Sequence, residues 1–249
     1  MDIIWTLDSG DVTRLRAFVD ARRDEAFVRY RIDKNVKHPP TAVDIGTFWE
    51  VLVGALLTSQ QRSGPDSYVS RFLRHRPFLL SYAFYQEQQD PESAGRRVLQ
   101  DFGGLRFSTR VAKHLAYNHE ALRGGLWSKT EAILEHLIMH RTPESERRAS
   151  EFIREHFVGV GPKQSRNLLQ GLGLTQYEIP IDSRITKWLN SFDFPLHLTA
   201  NGLSDPGYYN FVSDGIQAMC AQSGVLPCVF DAAVFSSYDK GWTEDNVIW

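Results

Sequence analysis

The stretch Phe157-Val158-Gly159-Val160-Gly161-Pro162-Lys163-Gln164-Ser165, with Ile179-Pro180-Ile181-Asp182 downstream, decides how this chain is read. A helix ends, two glycines form a tight hairpin, and a second helix opens with a lysine in its first turn. Gly159 and Gly161 suit the hairpin because glycine accepts positive φ and lets another backbone come close. Pro162 suits the first helical position, where its missing N–H costs nothing. The free amides of that helix start, together with the helix dipole, form an anion site suited to a phosphate. Asp182 follows Lys163 by nineteen residues, at the start of another helix. A lysine beside a phosphate cradle, with an acid nearby, points to covalent chemistry on a nucleic acid.

Outward from the hairpin the pattern stays helical. Thr142-Pro143 starts the helix that enters it, with an apolar stripe of Ala149, Phe152, Ile153, His156 and Phe157. Gly171 and Gly173 close the helix that leaves it. Gly46 to Gln60 is too apolar for a surface helix and is expected at the centre. Ser128-Lys129-Thr130-Glu131 reads as a capping box that opens a further helix. Asp182 caps a helix bearing Ile185, Trp188 and Leu189, and Pro227 begins the last. No run alternates as a strand would, so the expectation is an all-α fold of roughly ten helices. A junction over Asp33 to Asp44 would divide it into a terminal lobe (1–45 with 183–249) and a central lobe (46–182).

Composition sets outer limits. A chain of 249 residues can bury one sizeable core or two small lobes. No run of eighteen apolar residues exists, which argues against a membrane span. The start, Met1-Asp2-Ile3-Ile4-Trp5, lacks the basic n-region of a signal peptide, so an intracellular protein is expected, cytoplasmic or nucleoid-associated. Cys220 and Cys228 are too few for a four-cysteine metal site and read as buried thiols. The net charge of −2 does not advertise nucleic-acid binding. Its distribution does more, because basic residues dominate from Arg62 to Lys113 and acidic ones after Asn190. A basic face with an acidic far side is compatible with a duplex.

Two roles stand open for each key residue taken alone. Lys163, at the positive end of a helix dipole, would have its charge disfavoured and act as a nucleophile; the plainer alternative is a surface lysine on a phosphate. Asp182 would manage the lysine proton and stabilise positive charge on a sugar, or simply cap its helix.

Taken together, Val158-Gly159-Val160-Gly161-Pro162-Lys163 with Ile181-Asp182 resembles the signature of the helix-hairpin-helix (HhH-GPD) DNA glycosylase superfamily. The resemblance spans about Phe48 to Phe235 and implies a two-lobed, all-α glycosylase fold whose hairpin binds DNA. It implies Lys163 as Schiff-base nucleophile and Asp182 as its partner. Gly159, Gly161 and Gln164 would meet the DNA backbone. Leu57-Thr58-Ser59-Gln60-Gln61 is similar to the loop whose polar residue fills the hole left by a flipped nucleotide, here Gln60 with Gln61. Asp231-Ala232-Ala233-Val234-Phe235-Ser236 is similar to the last helix of the 8-oxoguanine glycosylases, where Phe235 would stack on the base and Asp231 read its edge. The two stand at i and i+4 and share a helix face.

The chain departs from that pattern in places. Asn167 stands where a cysteine usually forms the other wall of the base pocket, and Arg184 where a histidine is common, though Arg184 could serve a phosphate. The β-domain of eukaryotic relatives and the four-cysteine cluster of endonuclease III relatives are missing. The expectation is a monomeric glycosylase and AP lyase acting on double-stranded DNA with a damaged base of 8-oxoguanine type. No organic cofactor and no catalytic metal are expected, and the resemblance implies a monovalent cation at the hairpin carbonyls. Other readings are a glycosylase for an alkylated or deaminated base, a catalytically silent DNA-binding module, and a helical scaffold. In some compact relatives the last residues enter the base pocket, which singles out Trp249.

Overall fold

The structure is a computed structural model in which residues 4–248 are described; Trp249 lies outside them. No strand occurs among the described residues. The chain opens with α1 (Ser9–Asp20) and α2 (Ala26–Arg31), then reaches the apolar α3 (Ile45–Leu57). α4 (Tyr68–Arg74), α5 (Tyr82–Gln86), α6 (Pro91–Phe102), α7 (Ser108–Ala121) and α8 (Trp127–Met139) follow. α9 (Pro143–His156) and α10 (Pro162–Gly171) flank the hairpin, and α11 (Ser183–Ser191), α12 (Pro206–Gln222) and α13 (Pro227–Tyr238) complete the chain. No single described helix is long and apolar enough to cross a membrane.

Local chemistry accounts for the boundaries. Asp44 caps α3 by accepting the Thr47 amide, and Asp205 caps α12 by accepting that of Tyr208. Thr142 and Ser145 form a reciprocal capping box at α9, with Pro143 in the first turn. The expected capping box at Ser128 is not one. α8 already begins at Trp127 and continues from α7 through a π-helical turn, Leu122–Leu126, so Ser128 lies inside the helix. That turn contains Gly125 at φ +105°, where glycine relieves the kink.

Buried side chains fall into two clusters. One gathers on α3, from Phe48 to Leu174, with Trp49 wholly enclosed and its indole N–H bonded to the Leu80 carbonyl at 2.8 Å. The other joins Leu15, Val19, Phe27 and Val28 to residues from Ile179 onward, including both free thiols, Cys220 and Cys228. The expected junction after Asp33 is partly core. Asn35 is wholly buried and donates to the carbonyls of Gln170 (3.1 Å) and Thr175 (2.9 Å).

Between the clusters runs the segment 175–182, held by charge. Glu146 of α9 accepts three successive main-chain amides, from Gln176, Tyr177 and Glu178, at 2.7–2.8 Å. Glu178 is itself fully buried and binds Arg166 of α10 (2.8 Å) and Arg147 of α9 (2.7 Å), with Ser213 and Gln217 of α12 completing its shell. Removing one member of such a buried pair strands the other charge. Glu178→Ala is therefore expected to cost about 3–5 kcal/mol, measured as a fall in the urea midpoint without a change in slope.

Candidate active site

The hairpin has one glycine that its shape requires. Gly159 sits at φ +84°, and a Cβ there would stand 2.2 Å from the His114 ring. Gly161 is different from the sequence expectation: its φ of −92° and ψ of −175° are ordinary extended backbone. It serves as the residue before Pro162, which favours extended geometry. Asn118 of α7 clasps the hairpin from behind, accepting the Val158 amide at 2.8 Å and donating to the Val158 carbonyl at 3.0 Å. This leaves Val158 and Gly159 exposed and the first-turn amides of α10 open to an anion.

Behind this helix start lies a cavity of about 40 Å³, framed by three helix faces. Lys163, Asn167 and Gln170 come from α10, Asp231 and Phe235 from α13, and Phe27 and Arg31 from α2. Each set follows i, i+4 or i, i+3 spacing, which places its members on one face. Asp182, Arg184, Thr58 and Ser63 complete the wall with Pro180. A volume of about 40 Å³ holds a water or so, not a purine. A larger cleft of about 490 Å³ backs onto Phe27, Asp239 and Trp242 but gathers no comparable set around a helix start.

Asp182 caps α11 with one oxygen, accepting the amides of Arg184 (2.8 Å) and Ile185 (3.1 Å). Its second oxygen accepts Arg184 Nη1 at 2.6 Å. The same guanidinium bonds Asp239 and lies 4.4 Å from the centre of the Phe235 ring. Phe235 also stacks on Phe27, with centroids 4.5 Å apart. Arg184 thus bridges two carboxylates across the ring that the cavity presents.

Two titrating groups at the cavity are displaced, and the shift of Lys163 is in the direction a nucleophile needs. Burial holds the Lys163 amine below its usual range, aided by the nearby Arg184 charge and opposed by Asp182 and Asp231. Burial also pushes the Asp231 carboxyl up to about 7, with Asp182 adding to the rise while Arg31, the Gln170 amide and Lys163 oppose it. Among the described residues, no group of three or more His, Cys, Asp or Glu side chains is placed to hold a metal ion.

Of the residues expected from sequence, Lys163, Asp182, Asp231, Phe235, Asn167 and Arg184 converge on the cavity. Asn167 donates to Thr58 Oγ1 at 3.3 Å. Gln60 and Gln61 lie outside it and differ from each other. Gln60 is exposed at φ +58°, a left-handed conformation that is costly for a non-glycine residue. Gln61 spends its amide within the protein, donating to the Leu57 carbonyl and accepting the Arg106 amide at 3.0 Å. Gly159, Gly161 and Gln164 lie at the hairpin, apart from the cavity walls. Sequence reasoning missed Arg31, Gln170, Phe27, Asn118 and Asp239, none of which stands in a recognisable local motif.

An all-α frame with a hairpin, a half-buried lysine and a capping aspartate at one cavity is shared with solved helix-hairpin-helix DNA glycosylases, whose fold this chain has. No family model matches the chain. It is similar to the 8-oxoguanine DNA glycosylase/AP lyase of Sulfolobus acidocaldarius, 24% identical over 185 residues, covering 74% of this chain and 75% of the relative. In structure it resembles the 8-oxoguanine DNA glycosylase of Thermotoga maritima, with a TM-score of 0.68 at 15% identity over 92% of this chain and 98% of that one. The Methanocaldococcus jannaschii 8-oxoguanine DNA glycosylase gives 0.67 at 14% identity, covering 94% of this chain and 97% of that one. Its complex with a 15mer DNA containing 8-oxoguanine gives 0.66 at 13%, covering 90% and 96%.

The raised Asp231 carboxyl makes a stability prediction. Between the unfolded pKa of about 3.9 and the folded value of about 7, the native state binds more protons, so stability falls as pH rises through that window. Asp231→Asn should therefore melt higher than the parent at pH 8, by roughly 5 °C, with the gap closing by pH 4.

Proposed function

We propose that this chain is a base-excision DNA glycosylase with an associated AP-lyase step, removing an oxidised purine of 8-oxoguanine type from duplex DNA. The observation that carries the reading is the convergence of Lys163, Asp182, Asp231 and Phe235 on one cavity behind an open helix start. The names of its relatives support the same substrate class. The protein would act as a monomer inside the cell, with DNA as its partner.

Hairpin amides and basic side chains hold the strand, and Gln60 fills the gap beside the estranged base. Extruding the base costs a few kcal/mol. Entry requires Arg184 to leave the Phe235 ring, exchanging its carboxylate contacts for a DNA phosphate. The base then lies on Phe235, a stack worth ~1–3 kcal/mol, with its Watson–Crick edge toward Asp231. Neutral Lys163 Nζ attacks C1′ as the bond from C1′ to the base breaks, and the base leaves with the electron pair as an anion that takes a proton from water. The Asp182 carboxylate stabilises the positive charge that develops on the sugar and receives the proton the new ammonium sheds. Ring opening gives a Schiff base, and loss of a C2′ proton expels the 3′ phosphate, nicking the strand. Hairpin carbonyls of Phe157 and Val158 each accept one hydrogen bond and keep a lone pair for a monovalent cation, which would tie the hairpin to a phosphate.

Borohydride trapping tests the reading on labelled duplexes with 8-oxoguanine, an abasic site or no lesion. A covalent complex with the 8-oxoguanine duplex is expected, and Lys163→Ala should abolish it while leaving duplex binding within about threefold, since many groups contact phosphate. Trapping only at the abasic site would keep the lyase and favour another lesion. Gly159→Ala, strained at positive φ by about 1–2 kcal/mol and crowded against His114, should weaken binding to undamaged duplex in a fluorescence titration by roughly tenfold.

A further inference from the structure

Arg31 is the least explained charge in the molecule. It is 3% exposed, lines the cavity, and makes no ion pair with a carboxylate among the described residues. Its Nη1 is fixed by Asn35 Oδ1 (3.2 Å) and the Gln170 carbonyl (3.1 Å), while Asn35 is itself wholly buried and doubly bonded. Its Nε–H has no hydrogen-bond partner among the described residues. Gln170 Nε2, also buried and in the same wall, makes no hydrogen bond of ordinary length, although it lies close enough to Asp231 to favour the ionised carboxyl. A buried donor left unmade is costly, and more so when charged. Native structures keep few such groups, and each calls for an explanation. Asp231 lines the same cavity, near enough to feel the guanidinium charge yet forming no ion pair with it. The cavity is therefore lined both by a guanidinium held in place and by a carboxyl.

That polarity matches one kind of base edge. The Watson–Crick edge of a guanine-type base carries a carbonyl at O6 beside donors at N1 and N2, whereas an adenine-type edge carries an amino group beside an acceptor. Resting on the glycosylase reading above, we propose that Arg31 donates to the O6 carbonyl of the extruded purine while Asp231 accepts from its N1–H and N2–H. An adenine-type base would set an amino group against Arg31 and a lone pair against the Asp231 carboxylate, so the pair selects against it. Arg31 is thus a specificity residue on the amino-terminal helix α2, distant in sequence from the hairpin and the last helix. Its rigid support by Asn35 and Gln170 spares the reorganisation that a surface arginine would undergo.

The test is single-turnover cleavage of duplexes bearing 8-oxoguanine, 8-oxoadenine or a preformed abasic site, using the full chain, Arg31→Met and Arg31→Lys. Loss of one charged hydrogen bond predicts that Arg31→Met excises 8-oxoguanine roughly 10- to 100-fold more slowly. Nicking at the abasic site, which has no base to read, should stay within about twofold of the parent. Discrimination against 8-oxoadenine should narrow, and Arg31→Lys should recover part of the 8-oxoguanine rate. An equal loss at the abasic site in both variants would make Arg31 structural and overturn the proposal. So would an unchanged 8-oxoguanine rate, or an equal loss on 8-oxoadenine, which shares O8 but lacks O6. A parent chain that nicks abasic sites but leaves 8-oxoguanine intact would overturn the substrate reading, and this proposal with it.

Discussion

The buried pair between Arg166 and Glu178 is the constraint on which the site depends. Arg166 lies three residues beyond Lys163 on α10, and Glu178 lies four residues before Asp182. Their 2.8 Å contact fixes the helix that carries the amine relative to the segment that delivers the acid. Main-chain amides of that segment are pinned from the other side by Glu146. Two charges with no solvent access gain only if geometry and supporting hydrogen bonds are good, and here both carboxylates have several donors. An apolar substitute could bury as much area but would not set the register between two chain segments.

That rigidity contrasts with the cavity it supports. Around Lys163 the protein keeps features that cost stability: a buried amine, a carboxyl whose ionisation burial disfavours, and an arginine with an unmade N–H. Gln60 adds a left-handed backbone in the loop between Thr58 and Ser63, two residues that line the cavity. Strain and unsatisfied polarity persist where surrounding structure over-determines them, and they cluster at functional sites. Arg184 is the exception that conceals the rest. It bridges Asp182 and Asp239 across Phe235, in the wall of a cavity of only about 40 Å³.

Much of the frame was legible because its causes are local. Pro162 after Gly161, Asp182 ahead of Ser183 and Thr142 ahead of Pro143 act over one helical turn, and each lies where its chemistry implies. Ser128 shows where that logic fails. A capping-box pattern has no force when the preceding turn is already helical, and the π-helical link from α7 makes it so. Gly161 shows the same limit, since a glycine can be chosen for φ or merely tolerated, and only the backbone tells which. Gln60 and Gln61 look alike in sequence, yet one amide is spent on Leu57 and Arg106 and the other is exposed.

The sequence by itself determined the all-α class, the hairpin and the placement of Lys163 and Asp182 at helix starts. Propensity, capping and periodicity act between neighbours and need no knowledge of the rest of the chain. Only the tertiary structure decided which polar groups close around them. Arg31 meets Gln170 across 139 residues, Asn118 meets Val158 across 40, and Arg184 meets Asp239 across 55. Nothing in Val28-Arg29-Tyr30-Arg31 separates the exposed Arg29 from the buried Arg31. The difference comes from packing α2 against α13, which removes one guanidinium from water and leaves the other in it.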